Sequence, residues 1–422
     1  MTAGSAPSPA VTDHRQSGRK VSDDDFRRRV RSFLAHHAPR EGWTRDEHGR
    51  PPGDDAPNDV RVARARRCLT LLFDAGLAAI SWPRAYGGQD LTNRHQVVFN
   101  EEAAAYALPL DIFMIGLGMC APTVLAHGTE PQRSRYLPPL LRGAEIWCQL
   151  FSEPEAGSDL AGLRCRAESD GDSWVVSGQK VWTSGAHNAA FGMLLARSDP
   201  SSSRHGGMTM FIVDMSLPGI EIRPLRQMTG ASRFSEVFFD GCRLESDAVL
   251  GEVGQGWRTA ITTLMNERVS IGTSNPAGYG HPASALAAEA RRRGLIEDPV
   301  IVDRICRLAI RERITGLLGK RVTEALLAGA EPGPEGSLAK LSGTQVSKDS
   351  AALAMEIVGP AAAAWSGDSG SAAAWASVQC SVPGLSIAGG TDEIMRNILA
   401  ERVLGLPREP RVPAVNENGG RR

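Results

Sequence analysis

The segment LFSEPEAGSDLAG (150–162) places a hydroxyl, Ser152, at the end of an apolar strand and follows it with a tight loop. Gly157 permits close approach to the backbone, and Ser158 and its neighbouring amides can donate hydrogen bonds to a phosphate or a carbonyl. A Gly-Ser-Asp loop on its own is most often only a turn. The segment therefore indicates a ligand site only if other parts of the chain point to the same chemistry.

The segment GQKVWTSGAH (178–187) has the pattern of a strand that ends in an aromatic residue and two hydroxyls, Trp182, Thr183 and Ser184. An indole face beside a hydroxyl donor suits a flavin ring, which needs a packing surface and a hydrogen bond to a ring nitrogen. The alternative is a core tryptophan at the end of a strand. Taken alone, the segment favours that simpler interpretation.

The segment AGGTDEIMRNILAERVLGLP (388–407) has the signals of a turn followed by a helix. Gly389 and Gly390 predict the turn, and Thr391 is a good helix N-cap with two acidic residues after it. Helix N-termini also receive anionic or carbonyl groups, so the segment is compatible with a ligand site. As a helix start alone it says little about function.

The pattern between these segments changes twice along the chain. Apolar positions at helical spacing dominate 22–147 and return after the turn at 251–256. From Cys148 to about Gly251, short apolar or alternating runs are separated by turn residues, which is typical of an antiparallel β domain forming a small barrel or a sandwich. The predicted strands include SWVVSGQKVW (173–182), FGMLLARS (191–198), MTMFIVDM (208–215), IEIRPL (220–225) and SEVFFD (235–240).

The composition excludes several classes of protein. Lys and Arg total 47 against 48 Asp and Glu, so there is no basic excess for nucleic acid or for an anionic membrane surface. The longest apolar stretch, 112–126, is too short and too interrupted by glycine and proline to span a bilayer. Seven scattered cysteines without a CxxC pair support neither a metal site nor a disulfide framework, and the polar start lacks a secretory signal, so we expect a cytoplasmic protein. The expected divisions are a disordered tail at 1–20, a helical domain at 21–147, a β domain at 148–252, a helical bundle at 253–406 and a tail at 407–422.

Together and in this order, the three segments resemble the acyl-CoA dehydrogenase family over about 71–410. The resemblance implies an α+β, mostly α fold with an N-terminal helical domain, a middle antiparallel β domain and a C-terminal helical bundle. The matching residues are Ser152-Glu153-Pro154, Ala156-Gly157-Ser158-Asp159 and Gly162, then Trp182 and Ser184, then Gly390-Thr391-Asp392-Glu393-Ile394.

The resemblance also implies a cofactor, FAD, between the β domain and the C-terminal helices. Ser152 is then expected at the pyrimidine side of the flavin, Trp182 on the ring and Ser184 at N5, while Ser158 faces the thioester arm of the substrate. The full set of expected cofactor contacts is Phe151, Ser152, Gly157, Ser158, Trp182, Ser184, Thr391 and Glu393, with Glu356 and Gly359 reaching the FAD of a neighbouring subunit.

The catalytic base departs from the commonest pattern of the family. Many members carry a glutamate just before the C-terminal Gly-Thr, where this chain has Gly389, whose N–H can still donate to the thioester carbonyl. A second family arrangement puts the base before an arginine on the first long helix of the C-terminal domain, which matches Glu267 and Arg268. We expect Glu267 as the base and Arg268 near the substrate; the alternative is an ordinary glutamate on a solvated helix shoulder. On a helical wheel Glu267 lies at the edge of a stripe formed by Trp257, Ile261, Leu264, Arg268 and Ile271.

A second departure concerns the FAD pyrophosphate. Family members commonly bind it with an Arg-x-x-Phe motif early in the C-terminal domain, but the last phenylalanine of this chain is Phe239. The pattern resembles bacterial members that act on bulky or unusual acyl-CoAs, some of them α2β2 heterotetramers. We expect trans-2-enoyl formation on an acyl-CoA or acyl-carrier thioester, electron-transfer flavoprotein as acceptor, and a homodimer, homotetramer or heterotetramer. Two alternatives stay open: a non-catalytic partner subunit, and a flavin oxidase or monooxygenase on the same fold.

Overall fold

The computed structural model describes residues 21–44, 56–202, 204–273, 280–329, 333–364 and 371–408, without the side chains of 268–273, 326, 335 and 371. The chain is helical, then β, then helical, as the sequence predicts. The tail expected over 1–20 lies outside the described residues, as does the tail at 407–422 beyond its first two residues.

The N-terminal helices bury apolar faces at helical spacing. Helix α1 begins after Ser22, whose Oγ accepts a hydrogen bond from Asp25 N–H, and three aspartates in its first turn complement the helix dipole. Phe26 and Val30 are fully buried one turn apart. The helices are α1 (Asp23–Glu41), α2 (Asn58–Asp74), α3 (Asn93–Ala103), α4 (Ala121–His127) and α5 (Glu130–Arg142).

The β domain is one seven-stranded sheet in the order β1-β4-β2-β3-β7-β6, with β5 on β4. Most pairs are antiparallel, as predicted, but β1 and β2 each run parallel to β4. Strand β2 escapes prediction because its sequence, RAESD, is polar and almost wholly exposed, so no alternation marks it. The strands are β1 (Trp147–Leu150), β2 (Arg166–Asp170), β3 (Ser173–Ser184), β4 (Phe191–Arg197), β5 (Met208–Asp214), β6 (Ile220–Leu225) and β7 (Phe234–Glu245).

The C-terminal helices join the rest of the chain through α6, which packs against α4, the sheet and α9. Helix α9 also contacts α8, α11 and α12, so it lies at the centre of the bundle. None of the helices in the described part of the chain combines the length and apolar composition that a bilayer crossing needs. The helices are α6 (Gly256–Thr273), α7 (Ala283–Arg292), α8 (Pro299–Leu327), α9 (Glu335–Val358), α10 (Pro360–Ala363), α11 (Ser371–Ser381) and α12 (Asp392–Arg402).

Candidate active site

The fold brings Ser152 next to the tryptophan segment of β3. Phe151 is buried directly after β1, and Ser152 is half-buried. The N–H of Val181 donates to the carbonyl of Ser152 at 2.9 Å, one residue before Trp182. Two segments that are 30 positions apart in sequence therefore form one edge of the β domain.

Trp182 is held outward by a β-bulge. From Lys180 to Thr183 strand β3 advances three residues while β7 advances two, so one extra residue leaves the ladder. Trp182 has φ of 57°, a conformation that costs a residue with a side chain about 1–3 kcal/mol and is found mainly at functional sites. Its side chain is 62% exposed and touches Phe234 only edge-on, at 6.0 Å between ring centroids. One indole face is thus available to a ligand.

Two hydroxyls follow the indole. Ser184 is half-buried and pairs in register with Phe234 of β7. Thr183 is 1% exposed, and within the described residues its Oγ1 has no hydrogen-bond partner. A buried hydroxyl without a partner is costly in a native fold. This edge therefore carries polar groups that the described chain itself does not fully satisfy.

A buried ion pair lies directly behind this edge. Lys180 is fully buried, and its ammonium donates to the carbonyl of Phe151 at 3.0 Å and to the carboxylate of Glu153 at 2.7 Å. The same carboxylate accepts hydrogen bonds from the N–H groups of Arg164, at 2.6 Å, and Cys165, at 2.9 Å. Burial raises the pKa of the Cys165 thiol to about 11, so that neighbour stays neutral.

The loop that follows is open to solvent. Gly157 and Ser158 are exposed, and a Cβ added at Gly157 would meet nothing within 4 Å. The guanidinium of Arg197 donates to the carbonyls of Ala161 and Leu163 at 2.9 and 3.4 Å and so ties the end of the loop to β4. Beside it lies a cleft of about 400 Å³ lined by Gly162, Leu163, Arg164, Arg166, Ala167, Glu168, Arg197, Ser198 and Pro200.

Helix α6 carries Glu267, and the structure corrects part of its predicted apolar stripe. Trp257 and Leu264 pack against the core, as predicted, whereas Ile261 is 42% exposed. The buried positions of the helix are instead Gly256, Thr259, Ala260 and Thr263. The reason is that Thr263 makes its hydrogen bonds inside the protein, to Thr123 and to the backbone, so hydroxyls replace aliphatic side chains on the buried face.

These buried positions put Glu267 on the centre line of the buried face of α6 and not at its edge. Seven residues turn a helix through about 700°, so Glu267 points within about 20° of the direction of Ala260. Its side chain is half-buried. The side chain of Arg268, the expected substrate contact, lies outside the described residues.

The Gly-Gly-Thr turn is built as predicted. Gly389 and Gly390 have φ of 66° and 90°, which glycine adopts readily, and the Oγ1 of Thr391 accepts a hydrogen bond from Ile394 N–H at 3.2 Å as the N-cap of α12. Within the described residues the N–H of Gly389 has no backbone acceptor. Glu393 lies with its side chain 77% exposed.

The next residue after the cap, Asp392, is buried and accepts a hydrogen bond from the ammonium of Lys340 on α9 at 2.9 Å. Lys340 is 4% exposed. A second buried ion pair therefore anchors this turn to the centre of the helical bundle.

Glu356 and Gly359 lie at the C-terminal end of α9. Glu356 is exposed and forms an ion pair with Arg304 of α8. Gly359 has φ of 66° and open space around it. Within the described residues neither forms a hydrogen bond or ion pair with Ser152 or Trp182, so their expected role at the FAD of a neighbouring subunit stays a prediction.

Comparison with known proteins decides the family. Three family models match in order: acyl-CoA dehydrogenase N-terminal domain over 22–144, middle domain over 148–242 and C-terminal domain over 254–404. Acyl-CoA dehydrogenase IpdE1 of Mycobacterium tuberculosis (strain ATCC 25618 / H37Rv) is 38% identical over 92% of this chain and 98% of its own length. The chain belongs to the acyl-CoA dehydrogenase family. It is an oxidoreductase of the class that acts on CH–CH donors.

Two further likenesses are informative. Acyl-CoA dehydrogenase FadE34 of the same organism is 41% identical over 85% of this chain, and the match spans only 49% of that protein. A solved structure named Tcur3481-Tcur3483 steroid ACAD has a TM-score of 0.77 at 26% identity, covering 92% of this chain and 98% of that one. This acyl-CoA dehydrogenase therefore spans about half of one relative and nearly all of another.

Acyl-CoA dehydrogenases are FAD-dependent flavoproteins, and the β-domain edge fits a flavin. It offers an exposed indole held out by a strained bulge, half-buried serines at 152 and 184, and an orphaned hydroxyl at Thr183. Sequence reasoning missed both buried lysine–carboxylate pairs. The signal was present, since Lys180 is a lone charge in the apolar run SWVVSGQKVW, but its partner could not be named without the strand arrangement.

Proposed function

We propose that this chain catalyses α,β-dehydrogenation of an acyl thioester to the trans-2-enoyl product, with Glu267 as the base. The observation that carries the proposal is the position of Glu267 on the centre line of the buried face of α6, half-buried. A solvated carboxylate is a weak base, and partial burial strengthens it by disfavouring the charged form. The alternative of a fully solvated helix shoulder is not supported by this position.

Gly389 is the proposed second element of catalysis. A base can remove the weakly acidic α-proton only if the developing negative charge on the thioester oxygen is stabilised by preorganised donors. The N–H of Gly389, in a turn held by the Thr391 cap and the Lys340–Asp392 pair, is such a donor. A glutamate side chain is absent from this position, so the acid–base work falls to α6.

The residues proposed to hold FAD are Ser152 at the pyrimidine side, Trp182 on the ring and Ser184 near N5. When bound, FAD accepts a hydride from the β-carbon. Phe151 and Gly157 support the same edge, and Thr391 and Glu393 approach from α12. Glu356 and Gly359 are proposed to serve the FAD of an adjacent subunit.

The thioester handle is proposed to be coenzyme A. The cleft of about 400 Å³ lies at the end of the loop that carries Ser158 and is lined by Arg164 and Arg166, whose side chains are 80% and 63% exposed. Arginines recognise phosphate groups with directed, charge-assisted hydrogen bonds. Arg268 is proposed to approach the substrate from α6.

The acyl group is proposed to be bulky, of the steroid class, and the active assembly to include a second chain of this fold. The support comes from two relatives. The name of one solved structure, Tcur3481-Tcur3483 steroid ACAD, includes the word steroid and two protein designations. The relative FadE34 is about twice as long as the segment that matches this chain. Electron-transfer flavoprotein is proposed as the acceptor. We further propose that the assembly acts in the cytoplasm.

The test is turnover of a panel of acyl-CoAs, short-chain to steroid, by the purified full chain with an artificial electron acceptor. Glu267→Gln should retain flavin and lose about 10²–10⁴-fold in kcat, the usual contribution of a general base. Glu324→Gln, an exposed glutamate on α8, is the matched control and should behave as wild type. Wild-type turnover in Glu267→Gln contradicts the base assignment, and a wild-type chain without flavin or turnover contradicts the function.

A further inference from the structure

The buried pair Lys180–Glu153 needs an explanation beyond stability. Removing an ammonium and a carboxylate from water is expensive, and apolar side chains of similar size often give a fold as stable or more stable. Lys180 is nevertheless 0% exposed, and Glu153 lies beside it with its side chain 8% exposed. What apolar side chains cannot supply is a set of directed hydrogen bonds.

Those hydrogen bonds join segments that are not paired in the sheet. Strand β1, which leads into Ser152, lies against β3 but does not pair with it, because β4 and β2 come between them in the sheet order. The Lys180 ammonium links β3 to the Phe151 carbonyl and to Glu153, and Glu153 accepts from the two N–H groups just before β2. A further direct link is the hydrogen bond from Val181 N–H to Ser152.

The position of Lys180 also matters for the indole. It is the last residue of β3 in register before the bulge, and Trp182 follows two residues later with φ of 57°. A strained backbone persists only where the surrounding structure over-determines it. The buried ammonium fixes the near side of the bulge, and the pairing of Thr183 with Ser235 fixes the far side.

We propose that Lys180, acting through Glu153 and the Phe151 carbonyl, is a positioning residue that sets the separation between Ser152 and Trp182 and thereby the affinity for the flavin. The inference rests on the proposed function, which makes those two residues flavin contacts. It assigns Lys180 no contact with substrate or cofactor.

The experiment compares two full-length variants with wild type. The double variant Lys180→Met with Glu153→Gln removes both charges together and should fold, because no unpaired charge stays buried and the amide oxygen can still accept from the N–H groups of Arg164 and Cys165. Glu289→Gln is the control. Glu289 is a buried carboxylate on α7 that accepts hydrogen bonds from Arg292 and Arg293, and it is far along the chain from the β-domain edge. Three quantities are measured: thermal stability, amide hydrogen exchange of 151–153 and 180–184 without flavin, and the Kd for FAD from flavin fluorescence.

The double variant should have a melting temperature close to wild type, at least tenfold faster exchange in both segments, and at least a tenfold higher Kd for FAD. Glu289→Gln should lower stability and change neither exchange in those segments nor the Kd. Wild-type exchange or a Kd within twofold of wild type in the double variant overturns the inference. If wild type itself does not bind FAD, the proposed function fails, and the exchange of the two segments alone decides whether Lys180 positions them.

Discussion

In the β domain, Glu153 accepts hydrogen bonds from Lys180 and from two backbone N–H groups, whereas in the C-terminal bundle Asp392 accepts one from Lys340. Both pairs are buried, and each lies directly behind a segment of the candidate site. The first pair ties together three separate parts of the chain. The second ties one turn to one helix.

The difference shows how two segments of the candidate site are held in place. The β-domain edge keeps an indole in a strained conformation and is braced by several hydrogen bonds that converge on one carboxylate. The Gly389 turn uses glycines that adopt positive φ without strain, so one ion pair and one helix cap are enough. The comparison therefore predicts unequal losses of stability when each brace is removed.

The largest loss is expected for Glu153→Ala. This change leaves a buried ammonium and two backbone N–H groups without their acceptor, and breaking a buried pair from one side costs about 3–5 kcal/mol. Denaturant unfolding of the flavin-free protein measures it. A loss below about 1 kcal/mol would mean that water or another group replaces the carboxylate, and the brace would then be dispensable.

Asp392→Ala should lower the free energy of unfolding by less, about 2–3 kcal/mol. It leaves only the Lys340 ammonium without its acceptor, and it also removes a negative charge from the first turn of α12. The same unfolding assay applies, with Asp392→Asn as a partner variant that keeps an acceptor and should recover part of the loss. If Asp392→Ala proves costlier than Glu153→Ala, the ranking of the two braces is wrong.

Thr391→Ala should lower the free energy of unfolding by about 1 kcal/mol, the usual contribution of an N-cap. Its Oγ1 satisfies one N–H of α12 and is not part of either ion pair. Thr391→Ser keeps the cap and should match wild type in the unfolding assay. A loss in the serine variant equal to that in alanine would show that the methyl group, and not the cap, is the stabilising element.

The order of helical and β segments was accessible from sequence because periodicity alone reports it. The adjacency of Ser152 and Trp182 was accessible only through the family resemblance, since it depends on strand order. The predicted stripe of α6 was right for Trp257 and Leu264, which pack against the core. It was wrong for Ile261, which is exposed, whereas Thr263 is buried with Thr123 as its hydrogen-bond partner. A helical wheel carries no information about which hydroxyls find partners inside the protein.

The buried ion pairs were out of reach for a related reason. Glu153 and Lys180 are 27 positions apart, and Lys340 and Asp392 are 52 apart. A charged residue in an apolar run signals that a partner exists. The partner can be named only when the strand and helix arrangements are known, so the sequence predicts the residues of the candidate site and leaves the ion pairs behind them hidden.

The smallest effect on stability, and the most direct test of the strain that the β-domain brace maintains, comes from Trp182. Trp182→Gly removes the edge contact with Phe234 but relieves the cost of φ near 57°, so the flavin-free protein should stay within about 1 kcal/mol of wild type. Trp182→Ala loses the same contact and keeps the strain, so it should be less stable than the glycine variant by about 1 kcal/mol. Unfolding of the two variants side by side measures that gap, and both should bind FAD more weakly than wild type. Equal stability of the two would mean that residue 182 is not held at positive φ in solution, and the contrast between a strained, heavily braced edge and a relaxed turn would then disappear.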